Sequence, residues 1–431
     1  LEKEFLMSKK QSKNMPKADV MPKVDIVLWG AAGFVGRLVA AYLWPKYGAT
    51  GEVRFALGGR EKSELEAVHR DLKADDRLPF LVGDAFDENF LDAMARSAKV
   101  IVSTVGPYAK FGSKLVAACA ANGTGYCDLS GEAQWMHRMI NAHQKDAERT
   151  GARIVHSCGF DSIPSDLGVL FLQTQAEKRF GHPMNQVKLR VKSMRGGLSG
   201  GTVASMLNVV EEVRRDPEVA KIIKNPYALA PEGMRTGIRQ PNVSTFEYDA
   251  DVKSWVAPFV MAAINTRVVH RSNALMGYAW GKDFKYDEAM MMGDGWIGRV
   301  RAASFAGALA AFLMGGYFAP SRFVMKKTLL PKPGEGPSEK QRETGFYKLL
   351  LVGKDAGANQ LRVKVTGNRD PGYGSTCKML GETAVCLLKD IGKKDLNGGF
   401  WTPATAMGQK LIDRLTESAG LAFEVDEQGR V

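Results

Sequence analysis

Gly30, Gly33 and Gly36 recur at intervals of three in "WGAAGFVGR", a pattern that can hold an anion. Where a strand gives way to a helix, such glycines let the backbone turn tightly and approach a pyrophosphate, which rests at the positive end of the helix dipole. Ala32, Phe34 and Val35 share that turn. The spacing differs from the G-x-G-x-x-G fingerprint, so by itself the stretch also reads as a plain tight turn. Arg60 in "ALGGREKSEL" supplies a second anchor. Its forked guanidinium pairs with a phosphate on the ribose 2' position, assisted by Ser63 or Lys62, whereas a carboxylate there selects the free hydroxyl. Glu61 fits the start of the following helix, where negative charge suits the dipole. A solvated surface arginine is the plain alternative for Arg60. Together these residues predict a site for NADP rather than NAD.

Three further stretches carry groups able to manage a proton or a developing negative charge. Tyr108 in "VGPYAKFG" lies just beyond a predicted contact with the nicotinamide and is the first candidate for a hydrogen-bond donor or acid. A ring that only packs over the cofactor is the other reading. Lys110 either orients that tyrosine or is solvated. Asp161 and Ser162 in "CGFDSIPSDLG" precede a helix, so they face the sheet edge or provide its N-cap. Ser199, Gly200, Gly201 and Thr202 in "RGGLSGGTVASM" precede another helix, whose free N–H groups suit an enolate, carboxylate or phosphate of the substrate, unless the stretch is a flexible loop. No metal site is predicted, since the six histidines form no H-E-x-x-H and the five cysteines no C-x-x-C. The odd cysteine number fits a reducing compartment without a disulfide framework.

These residues need a scaffold that gathers strand ends along one edge. From Val24 to Ser157, β-branched runs ("VDIVLWG", "VRFALGG", "LPFLVGD", "AKVIVSTVG", "TGYCDLS", "ARIVHS") alternate with amphipathic stretches of helical period. Six strands separated by five helices predict a doubly wound parallel sheet, with ligands at its carboxyl edge. Asp84 and Ala85 after the third strand would meet the adenine. Thr104, Val105, Gly106 and Pro107 after the fourth would pass the pyrophosphate and nicotinamide ribose. Asp128 after the fifth either joins the site or caps the next helix. Beyond Asp161 the rhythm changes: "QVKLRVKSM" alternates like a half-buried strand, and "GFYKLLLVGK" and "NQLRVKVTGN" flank "DAGA" as an antiparallel hairpin. The expected class is α/β: a basic arm over residues 1–23, an N-terminal NADP-binding Rossmann domain over 24–160, a mixed α+β substrate domain over 161–395, and a segment 396–431 returning to the first domain. Residues 331–345, rich in Pro and Gly, predict a surface connection.

At 431 residues the chain exceeds one ordinary core. Its 45% hydrophobic and 25% charged content exclude collagen-like, wholly disordered and polytopic membrane classes. The net charge of +12 suits an anionic partner, but no aromatic-interleaved basic stripe points to nucleic acid. The arm lacks an apolar run of secretory type, which predicts a cytoplasmic protein. Residues 302–321, "AASFAGALAAFLMGGYFAPS", are uncharged and flanked by Arg299, Arg301, Arg322, Lys326 and Lys327. Such a segment suits core burial, a homodimer interface, or peripheral contact with a membrane or lipid-droplet surface; a full span is the least favoured reading.

The strings "GAAGFVGR", "STVGPYAKFG", "CDLSGE", "HSCGFDSIPSDLG" and "NTRVVHRSNAL", in this order, resemble the saccharopine dehydrogenase-like oxidoreductases, most of all their trans-acting enoyl reductase branch. The likeness runs from Val24 to "FWTPATAMG". It implies an NADPH-dependent oxidoreductase that reduces the double bond of an enoyl group in an acyl or lipid substrate. Imine or secondary-amine chemistry of saccharopine type is the alternative, which would require a carboxylate clamp, with Arg195, Arg267 and Arg271 its possible parts. A third reading is an NADP-binding protein of membranes or lipid droplets without turnover. A long apolar tunnel beside the nicotinamide would mean lipid, and a short cationic pocket an amino acid.

Overall fold

The computed structural model describes residues 21–196, 200–329, 336–357 and 359–427. Most of the basic arm, Ser199 and residues 330–335 lie outside them. Six short, mostly apolar runs form β1 (Val24–Trp29), β2 (Phe55–Gly59), β3 (Phe80–Val82), β4 (Ala98–Ser103), β5 (Gly125–Asp128) and β6 (Arg153–Val155). They are near-continuously apolar because helices cover both faces of a parallel sheet: Ile26, Val27, Ile101 and Ile154 are fully buried. The crossover helices keep their apolar residues on one stripe. In Ala133–Thr150 the buried Met136, Met139, Ile140 and Ala147 follow the helical period, while the charged residues face away. β13 (Gly399–Trp401) adds a seventh strand beside β6, giving the order β13-β6-β5-β4-β1-β2-β3. The order reverses at β1, which pairs with both β2 and β4, so the ligand crevice lies beyond the carboxyl ends of β1 and β4.

The second sheet has the order β14-β12-β11-β7-β10-β9-β8 and is antiparallel except where β7 (Gln186–Arg195) runs parallel to β10 (Lys285–Gly293). Its other members are β8 (Glu247–Asp249), β9 (Ser254–Pro258), β11 (Phe346–Lys354), β12 (Gln360–Gly367) and β14 (Leu421–Val425). The hairpin of β11 and β12 pairs Lys354 with Gln360, and alternation on β12 buries Leu361, Val363 and Val365. Arg190 on β7 is buried between Asp249 at 2.7 Å and Asp287 at 2.8 Å, an ion triad that ties β7, β8 and β10.

One apolar core runs through both sheets. The C-terminal segment serves each of them, contributing β13 to one and β14 to the other. Helix Thr376–Lys389 packs on β4, β5 and helix Phe34–Leu43. Its Glu382, fully buried, accepts from Tyr47 and receives Lys46 at 2.7 Å and Arg414 at 3.1 Å.

Candidate active site

The glycine turn has the geometry of a phosphate cradle. Gly30 has φ +86°, and a Cβ there would meet Val105 Cγ2 at 2.6 Å and Thr104 Oγ1 at 2.8 Å. A Cβ on Gly36 would stand 2.1 Å from the Gly30 carbonyl oxygen, so only glycine lets helix Phe34–Leu43 lie this close to its strand. Gly33 is exposed at the helix N-cap, and a Cβ there finds nothing nearer than 3.4 Å. Among the described residues no side chain caps this helix, so its first N–H groups remain available for an anion. Thr104 closes the turn by donating to the carbonyls of Trp29 and Gly30 at 3.2 and 3.1 Å. The Ala32 carbonyl is held by Arg37 at 2.9 Å. Phe34 packs edge-on to Tyr373 at 5.0 Å, with the Arg342 guanidinium 5.6 Å over its ring.

Arg60 projects from the end of β2 into solvent, its nearest charge the Glu61 carboxylate at 3.6 Å. Ser63 is exposed in the first turn of helix Lys62–Asp71, and Glu61 holds the N-cap position without a side-chain cap bond. Asp84 bonds the Phe86 N–H at 2.8 Å and shapes the half-buried turn with Ala85 that follows β3. An open cradle and an unburdened guanidinium fit a dinucleotide bearing a 2'-phosphate.

A cavity of about 1400 Å³ begins at this edge, where Val35, Thr104, Gly106 and Pro107 line it. Asp161 and Phe160 line it from the start of one helix, and Leu309 and Tyr317 from helix Gly295–Tyr317. Gly201 faces the cavity from the first turn of helix Gly200–Arg215, as do Ser205 and Val209 farther along. Asp161 makes no ion pair and no side-chain bond with another described residue. Burial therefore dominates, and with the charge of Asp128 it pushes the Asp161 carboxyl up to about 7.

A family model, the saccharopine dehydrogenase NADP-binding domain, matches residues 26–155. A Mycobacterium tuberculosis protein provisionally named a trans-acting enoyl reductase is 40% identical over 413 residues, covering 93% of this chain and 97% of its own. The trans-acting enoyl reductase of Mycobacterium ulcerans is 37% identical over 415 residues, covering 91% and 96%. The chain belongs to the saccharopine dehydrogenase-like oxidoreductases. Its branch is that of the trans-acting enoyl reductases, and it is an NADP-dependent oxidoreductase. The solved apo saccharopine dehydrogenase (L-Glu forming) of Saccharomyces cerevisiae shares the fold, with a TM-score of 0.51 at 10% identity over 94% of this chain and all of that one.

Within this oxidoreductase several residues do other work than their types suggested. The Tyr108 hydroxyl is buried, donating to the Ser103 carbonyl at 3.0 Å and accepting from the Leu129 N–H at 3.1 Å, while its ring stacks on Trp135. Tyr108 lines the cavity, but both bonds of its hydroxyl are made within the protein, and burial holds the phenol well above its usual range. Asp128 is fully buried and spends both oxygens inside the protein, on Tyr126, His156 and the N–H groups of Ser130 and Ser157. It therefore neither reaches a cofactor nor caps the next helix. Ser162 does occupy an N-cap position, but its hydroxyl donates to Asn265 at 3.0 Å, and Asn265 in turn donates to buried Glu288 at 2.8 Å. It can position Asp161 but cannot touch substrate.

The arginine clamp does not assemble. Arg267 donates to the carbonyls of Ala263 and Ile223, and Arg271 to those of Leu229 and Phe400. Burial lowers them to about 10 and about 9. Arg195 lies exposed at the end of β7. Of the glycine-rich stretch, Gly200 and Thr202 lie in the first turn of the helix with Gly201, and Ser199 lies outside the described residues.

Glu132 was not singled out from the sequence. It is fully buried and accepts from the Tyr108 and Ala109 N–H groups at 2.8 and 3.1 Å and from the Ser205 hydroxyl at 3.1 Å. It thus ties the loop after β4 to helix Gly200–Arg215, both of which line the cavity. Its signal was a carboxylate directly after a Gly in "CDLSGE", a helix start whose acceptor reaches another segment. Pro371, Gly372 and Thr376 in "DPGYGST" after β12 also line the cavity and were not singled out from the sequence. The Pro/Gly-rich connection partly lies against the cradle: a Cβ on Gly336 would meet the Phe34 ring at 2.4 Å.

Proposed function

We propose that this oxidoreductase reduces a carbon–carbon double bond conjugated to a carbonyl, in an acyl or lipid-type substrate, with Asp161 as the proton donor. The observation that carries this reading is the single carboxyl, lifted to about 7, in the wall of a long and largely apolar cavity that starts at the cofactor edge. The names of the relatives support the same reaction class. The first N–H groups of helix Phe34–Leu43 would hold the pyrophosphate of NADPH, and Arg60 its 2'-phosphate. Bound there, NADPH supplies the hydride for the β-carbon. The remaining needs fall to the chain: a proton for the α-carbon, and a donor near the enolate oxygen. Asp161 is partly protonated at neutral pH and can serve the first. The first turn of helix Gly200–Arg215, with Gly201 at the cavity, can serve the second. Phe160, Leu129 and Met261 exclude water from the reacting carbons.

Imine reduction keeps one observation in its favour: Lys224, Arg235, Arg239 and Arg267 line the same cavity, in which Asp161 is the only acid among the described residues. Single-turnover NADPH oxidation with a panel of long-chain 2-enoyl thioesters and carboxylated imines decides between them. Oxidation with enoyl substrates, lost in Asp161→Asn, is the expected result. Oxidation with imines alone overturns the enoyl reading, and an unchanged rate in Asp161→Asn removes Asp161 as its proton donor.

A further inference from the structure

We propose that helices Gly295–Tyr317 and Ala319–Leu329 seat the protein on an anionic membrane surface and hold the cavity mouth against it. Helix Gly295–Tyr317 is, among the described residues, the one long and apolar enough to span a bilayer. It is not a core helix, since only Gly298, Ala302 and Gly316 of its 23 residues are buried. Val300, Ser304, Gly307, Ala311, Met314 and Phe318 recur every three or four positions and are all exposed, so the uncharged stripe faces outward along the whole helix. A soluble monomer rarely leaves such a stripe uncovered.

The second helix enlarges the stripe into a wedge. Ser321 donates to the Gly315 carbonyl, and Arg322 donates to the Gly316 carbonyl at 3.0 Å while facing Glu211 on helix Gly200–Arg215 at 3.6 Å. These bonds fix a rigid hairpin that presents Met314 (64% exposed), Phe318 (58%) and Phe323 (70%) together. Leu313 and Tyr317, beside them, are exposed and also line the cavity. The apolar interior therefore continues onto the apolar surface.

Charge selects the occupant. Arg299 and Arg301 are exposed about 100° to either side of Val300, the placement from which arginines reach headgroup phosphates while the stripe between them sinks. Exposed Trp296 suits the headgroup layer, and Lys326 and Lys327 extend the positive charge in the sequence. The acidic exception is Asp294, which caps the helix start. Two copies packed by this face would desolvate the arginines with no carboxylate on the stripe to meet them, and would cover the mouth. The docking surface stands on these residues alone; substrate passage from the membrane into the cavity rests on the reading of a lipid-type substrate.

Flotation of the full chain with vesicles of phosphatidylcholine containing phosphatidylserine, against phosphatidylcholine alone, tests the proposal. The expected result is flotation with the anionic vesicles, about tenfold weaker with neutral ones, and its loss in Met314→Glu/Phe318→Glu with the melting temperature and NADPH affinity retained. Wild type that stays at the bottom of the gradient, or equal flotation with both vesicles, overturns it. So does a double variant that floats like wild type, and so does a dimer by light scattering that the double variant converts to monomer, which would give the face to a second copy. Oxidation of NADPH with a short, water-soluble enoyl thioester, measured in parallel, reports on the reductase reading independently of flotation.

Discussion

Replacing Asp161 by Asn removes a carboxyl that the fold disfavours once it ionises. Moving that group from 3.8 to about 7 corresponds to about 4 kcal/mol against the charged form. Its partial exposure to the cavity screens some of this, so about 2 to 4 kcal/mol is the expected range. Because the folded-state value lies above the unfolded one, the native state holds the extra proton, and stability is greatest below about pH 4 for this group. It falls as pH rises to about 7, above which the full cost is present. Asp161→Asn should therefore match wild type near pH 4 and exceed it by about 2 to 4 kcal/mol at pH 8, read from urea midpoints across the range. The same carboxyl, acting as an acid, gives a wild-type turnover that declines above about pH 7, with that limb absent from the residual rate of the variant. Parallel stability curves for the two proteins between pH 4 and 8 would refute the argument, because the cavity would then not be raising this group. Divergent stability without a kinetic effect would leave the burial intact and remove Asp161 from the chemistry.

Arg60→Ala should weaken NADPH binding about tenfold to a hundredfold, the worth of one charge-assisted fork, and leave NADH unchanged in fluorescence titrations. Tyr108→Phe should keep its single-turnover rate yet lose about 1 to 2 kcal/mol of stability, since the Ser103 carbonyl and the Leu129 N–H both lose a partner; a large loss of rate would restore the tyrosine to the mechanism. Arg190→Ala should cost about 3 to 5 kcal/mol in urea unfolding by leaving buried Asp287 without its cation and Asp249 with Lys188 alone. The salt triad holds Asp249 below its usual range despite burial, so its contribution is present at neutral pH and is lost as pH falls.

The first sheet was legible because its signals are local. Each strand announces itself by a short β-branched run and each helix by its period, and "FVGRLVAAYL" and "SKLVAACAAN" match the helices Phe34–Leu43 and Ser113–Asn122 end to end. The cradle was legible for the same reason, since Gly30 and Gly36 meet atoms within a few residues or just past the end of the adjacent β4. The Tyr108 hydroxyl was not. A tyrosine after a strand end carries the same local pattern whether it faces a ligand or turns inward, and the choice was settled by Trp135, Leu129 and Glu132, which other segments supply. Asp128 went the same way once His156 and Tyr126 closed around it.

What decides the chemistry is assembled from still more distant pieces. Asp161 gains its raised proton affinity because helix Ala262–Leu275 and the turn Pro371–Ser375 close the cavity beside it, residues a hundred and two hundred positions away. Neither carries a motif: the first supplies Ile264 to the wall and Asn265 to Ser162, and the second supplies Pro371 and Gly372. A carboxyl at a helix start is ordinarily a cap, kept ionised by the free N–H groups ahead of it. In this fold the neighbouring Ser162 takes the cap position and turns its hydroxyl toward Asn265, so Asp161 is left without an ion pair among the described residues. A one-residue difference in where the helix begins thus separates a structural carboxylate from the carboxyl we propose as proton donor, and tertiary contacts on Ser162 set that difference.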